Sequence, residues 1–183
     1  IDTGMHRLGF EEEDIEELIS LLQHNNFVKV TSIFSHLSAT DNLDFKDFTL
    51  HQIQLFESIS NTISTTLNIQ PIRHILNTSG IFNFSEYQFE MVRLGIGIYG
   101  VGNSEEEQNS LENVSTLKSI ISQIRTVGAN DSVGYSRKFM VKKEMRIATI
   151  PIGYADGIRR AWGNEKGFVS INNQEATILG NVC

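Results

Sequence analysis

Two stretches in the first seventy residues repeat their apolar positions at helical spacing, and the stretches around them do not. Within Glu11–Gln23, Ile15, Leu18, Ile19 and Leu22 fall on one face and predict an amphipathic helix. Its acidic start, Glu11 to Asp14, suits the positive end of a helix dipole and needs no functional role. From about Asp44 to Leu67, Phe45, Phe48, Ile53, Leu55, Phe56, Ile59 and Ile63 form a broad apolar face that predicts a long core helix. Asn25-Asn26 ends the first helix, and Phe27–Phe34 then reads as a strand. Pro71–Leu76 predicts a second strand, followed by the polar run Asn77-Thr78-Ser79-Gly80 at the start of a short helix. Met91–Gly100 predicts a short buried strand that delivers Arg93 and then two glycines at its C-terminal end. With Ile1 opening as a strand residue, residues 1–100 alternate strand and helix, the pattern of parallel strands joined by right-handed crossovers.

The pattern then changes. Gly102–Ser115 is polar and acidic without apolar periodicity and reads as a linker. Beyond it the chain is all strand-like: Leu117–Val127, Met145–Ile150, Gly167–Ile171 and Ala176–Val182, with Asn172-Asn173 as a hairpin turn. Two domains are expected, 1–113 and 114–183, the first α/β and the second mainly β.

Composition narrows the function classes. A net charge of −7 over 183 residues argues against a nucleic-acid surface. The single cysteine, Cys183, permits no internal disulfide and fits a reducing compartment, so a cytoplasmic location is expected. No apolar run is long enough to span a bilayer. The chain opens on Ile1 without a Met and stops while strands are still arriving, so it is expected to be a piece of a larger protein.

The candidate chemistry gathers at strand ends. Arg7 is bracketed by Gly4 and Gly9; His36 follows the Phe27–Phe34 strand; Asn77 and Thr78 follow the Pro71–Leu76 strand; Arg93 and Gly95 close the next. Each alone has an ordinary reading: a solvated arginine, a structural histidine, a helix cap. In a parallel barrel all these ends share one face, where active sites sit. A guanidinium fork clamps carboxylates, and exposed amides near glycine cradle phosphates. Two tyrosines, Tyr135 and Tyr154, stand in Gly-rich turns of the second domain; a catalytic tyrosine there needs its pKa lowered by a partner from elsewhere.

Several segments resemble one family in the right order. Ile1-Asp2-Thr3-Gly4-Met5-His6-Arg7-Leu8-Gly9, Ser35–Asp41, Met91–Ile96, Val133-Gly134-Tyr135 and Pro151–Gly157 are similar to segments of the bacterial alanine racemases that depend on pyridoxal 5'-phosphate. The resemblance covers essentially the whole chain. It implies a partial (β/α)8 TIM-type barrel followed by a truncated, mainly-β C-terminal domain that reaches into a partner's active site in a homodimer. It further implies that Arg93 faces the pyridine nitrogen, and that Thr78 and the amides of Gly95 and Ile96 hold the phosphate beside Asn77. Tyr135 would be one of two opposed bases, His36 would relay between Tyr135 and Arg93, Arg7 would contact cofactor and substrate carboxylate, and Tyr154 would narrow the entrance. The implied reaction converts L-alanine to D-alanine for peptidoglycan precursors.

The chain also departs from the family. Thr78 stands where the family usually has Ser, and Arg137 and Lys138 follow Tyr135 where the family is less basic. The cofactor-bearing lysine and the often carbamylated lysine lie upstream of the matched region, and the substrate-contacting Met follows the Cys183 position. The 183 residues alone are therefore expected to be inactive. A racemase for serine or another small amino acid, and a non-catalytic cofactor-binding module, are the competing readings. Tyr135 and Pro151–Gly157 count against the single-domain members of that last class.

Overall fold

The computed structural model describes residues 1–183, which divide into two compact units, Ile1–Thr116 and Leu117–Cys183. In the first, helix α1 (Ile15–Gln23) packs on the long helix α2 (Lys46–Leu67), as the two helical periodicities predict. Ile15 and Ile19 of α1 meet Ile53, Phe56, Ile59 and Ile63 of α2 in one core with Ile33, Leu37, Ile75, Leu76 and Phe84. α2 is entered through a 3-10 turn, Leu43–Phe45, whose first amide need is met by Asn42: its side chain accepts from Asp44 N at 3.0 Å. It ends at Asn68, in the left-handed region at φ 51°, whose amide turns back to the carbonyls of Ser64 and Thr65.

Beside this pair, β1 (Ser32–Phe34) and β2 (Ile72–His74) run parallel, with Phe34 opposite His74. Two further segments extend the arc without completing a ladder. Ile1 N donates to Phe34 O (2.8 Å), laying the chain's opening along β1. Met91 N donates to Arg73 O (3.3 Å) and Arg93 N to Leu76 O (3.0 Å), laying residues 91–93 along the far side of β2. The order opening segment, β1, β2, 91–93 is an arc of a parallel barrel, with α1 and α2 packed behind it.

The strand expectations need correction in length. Phe27–Thr31 form no strand: Phe27 is 99% exposed and its amide bonds to the Asn25 side chain (2.8 Å). A β-prone sequence becomes a strand only where a neighbour pairs with it. Met91–Gly95, expected as a buried strand, is extended but unladdered, and Met91, Val92 and Leu94 are exposed. Only alternate amides find β2, and Gly95 (φ −94°, ψ −113°) then turns the chain into a 3-10 turn, Ile96–Tyr99. The stretch 102–115 is not a featureless linker. Helix α3 (Thr78–Asn83) is followed by a short α4 (Glu105–Asn109), started by the Ser104 hydroxyl accepting from Glu107 N at 3.1 Å. Glu107 is buried, with Oε2 accepting from Asn103 N at 2.8 Å and Oε1 unpartnered.

The second unit is built from antiparallel pairs. β3 (Gln123–Val127) pairs with β6 (Met145–Thr149), β4 (Ser132–Val133) with β5 (Phe139–Met140), and β7 (Phe168–Ile171) with β8 (Gln174–Thr177). The strand expected from Leu117 begins only at Gln123, and the one expected over 176–182 begins two residues earlier and stops at Thr177, leaving 178–182 outside it. The hairpin explains the second shift: Asn172 and Asn173 both take positive φ (51° and 62°), a two-residue turn that sets Gln174 opposite Ile171. No helix is long and apolar enough to cross a membrane.

Candidate active site

At the C-terminal ends of β1 and β2 the polar residues converge on one guanidinium. Arg93 donates through Nη2 to the carbonyls of Ser35 (2.6 Å) and Ile75 (3.3 Å) and through Nη1 to that of His74 (3.2 Å). It also meets both imidazoles: Nη2 donates to His36 Nδ1 (3.1 Å) and Nη1 to His74 Nδ1. An Nδ1 that accepts carries no proton, so each neutral ring holds its hydrogen on Nε2. Burial and then the Arg93 charge hold both imidazoles below the usual histidine value, with Arg7 adding to the effect on His36. Burial also lowers Arg93, but a guanidinium starts so high that it remains a cation. Phe34 closes the group: its ring stacks on His74 (5.2 Å between centroids, 3° between planes) and lies 5.2 Å from the Arg93 guanidinium carbon.

The neighbouring Arg73 shows what strand alternation does. It points to the other face of β2 and is consumed by Glu90, through Nε (3.1 Å) and Nη2 (2.8 Å). It is a surface ion pair, while Arg93 is a site residue.

Arg7 sits on a loop folded by Asp2, whose Oδ1 accepts from the amides of Gly4 (2.8 Å), Met5 (3.1 Å) and His6 (3.1 Å). Burial raises the Asp2 pKa, but those amides and the nearby His6 outweigh it and hold the carboxylate ionised. The loop closes at Gly9 (φ +131°), where a Cβ would lie 2.7 Å from Asp2 N; any other residue would force the loop open. Arg7, Phe34, His36 and Arg93 line a common cavity of about 90 Å³.

A second cluster lies where α3 begins. Thr78 Oγ1 accepts from Gly95 N (3.0 Å) and Gly97 N (3.2 Å), which leaves its own hydrogen free to donate. A Cβ on Gly97 would come within 2.7 Å of Thr78 Cγ2, so glycine is what lets the two segments touch. The amides of Thr78, Ser79 and Ile96 donate to nothing within the protein. Asn77 is the α3 cap: Oδ1 accepts from Gly80 N (2.9 Å) and Thr40 Oγ1 (2.7 Å), and Nδ2 donates to Leu37 O (3.2 Å). Of its two sequence readings, the cap is the one its bonds describe.

The two tyrosines belong to the second unit. Tyr135 is 73% exposed and opens a turn in which Gly134, Ser136 and Arg137 all have positive φ (79°, 57° and 52°). Arg137 Nε donates to Ser132 Oγ at 2.8 Å across that turn. Tyr154 is half exposed and carries the Arg160 guanidinium 4.4 Å from its ring centre. Sequence reading missed His74. Burial rises along β2 from an exposed Ile72 to a buried His74, and no local pattern in the sequence announces it.

Residues 1–103 match the alanine racemase N-terminal domain and residues 114–183 the alanine racemase C-terminal domain. The alanine racemase of Fusobacterium nucleatum is 41% identical over 186 residues, covering all of this chain and 50% of that protein. The crystal structure of alanine racemase from D-cycloserine-producing Streptomyces lavendulae matches the whole chain and 49% of its own length, at a TM-score of 0.89 and 28% identity. That of the Bartonella henselae enzyme, which has covalently bound pyridoxal phosphate, matches the whole chain and 49% of its own length, at 0.79 and 27%. The chain spans about half the length of the relatives it matches. Its fold is part of a (β/α)8 barrel followed by a mainly-β domain. With a strand-end arginine held by two histidines in the first domain and both domains matched, the chain belongs to the alanine racemase family.

Proposed function

We propose that the full-length protein bearing this chain interconverts L- and D-alanine with bound pyridoxal 5'-phosphate, supplying D-alanine for peptidoglycan precursors in the cytoplasm. The observation that carries this reading is Arg93, fixed by two imidazoles and three main-chain carbonyls at the strand ends. The donors beside it suit a phosphate monoester: free amides at Thr78, Ser79 and Ile96, a free hydroxyl hydrogen on Thr78, and glycines that leave room. Bound there, pyridoxal phosphate supplies an electron sink that acidifies the substrate Cα–H.

The chain's own residues do the rest. Arg93 would present a permanent cation to the cofactor's ring and would not readily yield a proton to it. Its hydrogen bonds from the protein side leave it little freedom to swing away. Arg7 pairs with the substrate carboxylate. Tyr135, from the 114–183 domain of a partner in a homodimer, moves the proton on one face of Cα, and a lysine outside this chain serves the other face. His36 holds the hydrogen-bond path toward Arg93, and Tyr154 narrows the entrance to small side chains. The 183 residues alone, lacking that lysine, do not turn over.

The test is incubation of the full-length protein with pyridoxal phosphate and L-alanine in D2O, following Cα deuteration and D-alanine together. Both are expected. Neither appearing, with the cofactor still bound, overturns the reading.

A further inference from the structure

Gln52 lies on the core face of α2 and is fully buried, at 0% exposure, between residues as apolar as Ile53 and Phe56. A buried amide must be bonded at both ends. Its oxygen accepts from Ser38 N (3.2 Å) and Ser38 Oγ (3.3 Å); its nitrogen donates to Thr3 Oγ1 (3.4 Å) and to the His36 carbonyl (3.4 Å). All four partners lie on two loops, and both loops carry site residues. Thr3 precedes Arg7 by four positions and its hydroxyl meets that of Ser35 at 2.7 Å. Ser35 in turn gives its carbonyl to Arg93, and His36 gives its Nδ1. The core itself offers no reason for an amide here, since a leucine of similar size would fill the space.

We propose that Gln52 is a positioning residue: it fixes the separation of the Arg7 and His36 loops and thereby holds His36 in register with Arg93. Without its amide, Thr3 keeps only Ser35, and the His36 carbonyl and the Ser38 amide lose their shared anchor. The His36 ring is then free to turn, and its proton distributes over both nitrogens. The kinetic part of this rests on the racemase reading; the structural part does not.

The test uses the full-length holoenzyme labelled with 15N-histidine, as wild type, Gln52→Leu, Thr3→Val and the double variant. Long-range imidazole 1H–15N spectra read the His36 tautomer directly. The wild type is expected to show His36 as a single Nε2–H form, and both single variants a mixture. His24, on the exposed end of α1, stays unchanged as the internal control. For Gln52→Leu, KM for L-alanine is expected to rise about tenfold, the order of one or two lost neutral hydrogen bonds, with kcat changing less. The double variant should be no worse than Gln52→Leu alone, because both changes cut the same tie. A Gln52→Leu protein that melts earlier but keeps the wild-type His36 signal and KM overturns the proposal. If Gln52→Leu does not fold, an unchanged His36 signal in Thr3→Val overturns it. A wild type that racemises nothing removes the racemase reading alone, since the tautomer still reports the brace.

Discussion

The first unit holds its chemistry by saturation, the second by backbone strain. Around Arg93 the hydrogen bonds run to buried carbonyls and imidazoles, and a conformation there is kept because leaving it would orphan several groups at once. Around Tyr135 the side chain is largely exposed, and it is flanked by three positive-φ residues, Gly134 before it and Ser136 and Arg137 after it, the last two of which are not glycine. Such residues cost about 1–3 kcal/mol each and persist because the turn is tied elsewhere, here by Arg137 to Ser132. A fixed cation tolerates a rigid cage. In the role proposed for Tyr135, a group that exchanges protons at a face of the substrate would need a defined direction with few bonds of its own.

Arg93→Ala is the most severe way to break the first region. It orphans the carbonyls of Ser35 and Ile75 and frees both imidazoles, and unfolding in urea should show a loss of about 3 kcal/mol, with racemisation lost in the full-length protein. Tyr135→Phe tests the second region in the opposite sense. Stability should be unchanged, because the ring is exposed, while turnover falls by about a hundredfold or more with the cofactor still bound. Unchanged turnover would remove Tyr135 from its proposed role. Ser136→Gly relieves one strained residue, so the free energy of unfolding should rise slightly, by roughly half a kcal/mol after the entropy of glycine is counted. If strain aims Tyr135, that gain in stability comes with a fall in kcat.

The smallest effect is the pH dependence of the first region. His36 and His74 have folded pKa values below the unfolded value of about 6.5, so the unfolded chain binds more protons in that window. Their contribution is complete above pH 6.5 and is lost as pH falls through the depressed folded values. Thermal melts from pH 7 toward 5 should therefore move to lower temperature, and a His74→Gln variant should flatten that slope.

What was legible in the sequence followed from local rules. The faces of α1 and α2 repeat at helical spacing, and Asn172-Asn173 names its own turn. The polar residues at strand ends gathered as parallel topology requires, at least for Arg7, His36 and Arg93. Strand lengths were not legible: Phe27–Val30 and Leu117–Ile121 have the composition of strands but no ladder, and pairing is a tertiary fact. α4 was missed because it rests on one serine cap rather than on an apolar stripe. His74 and Gln52 were missed for a related reason: a polar residue among apolar ones declares its burial only when its partners, 14 to 49 positions away, are brought beside it.

Arg93 also bears on the order in which the chain folds. Its guanidinium joins Ser35, His36 and His74 across sequence separations of 58, 57 and 19 residues. Closing loops of that size costs entropy before any bond repays it, so the ties to Ser35 and His36 should form after the local helices. A nascent chain should thus hold its local helices while its arginine is still solvated and untethered. The strand-end face gathered around Arg93 would then arise only with these long-range closures, and an anionic ligand that favoured that face over the open chain would draw folding to completion.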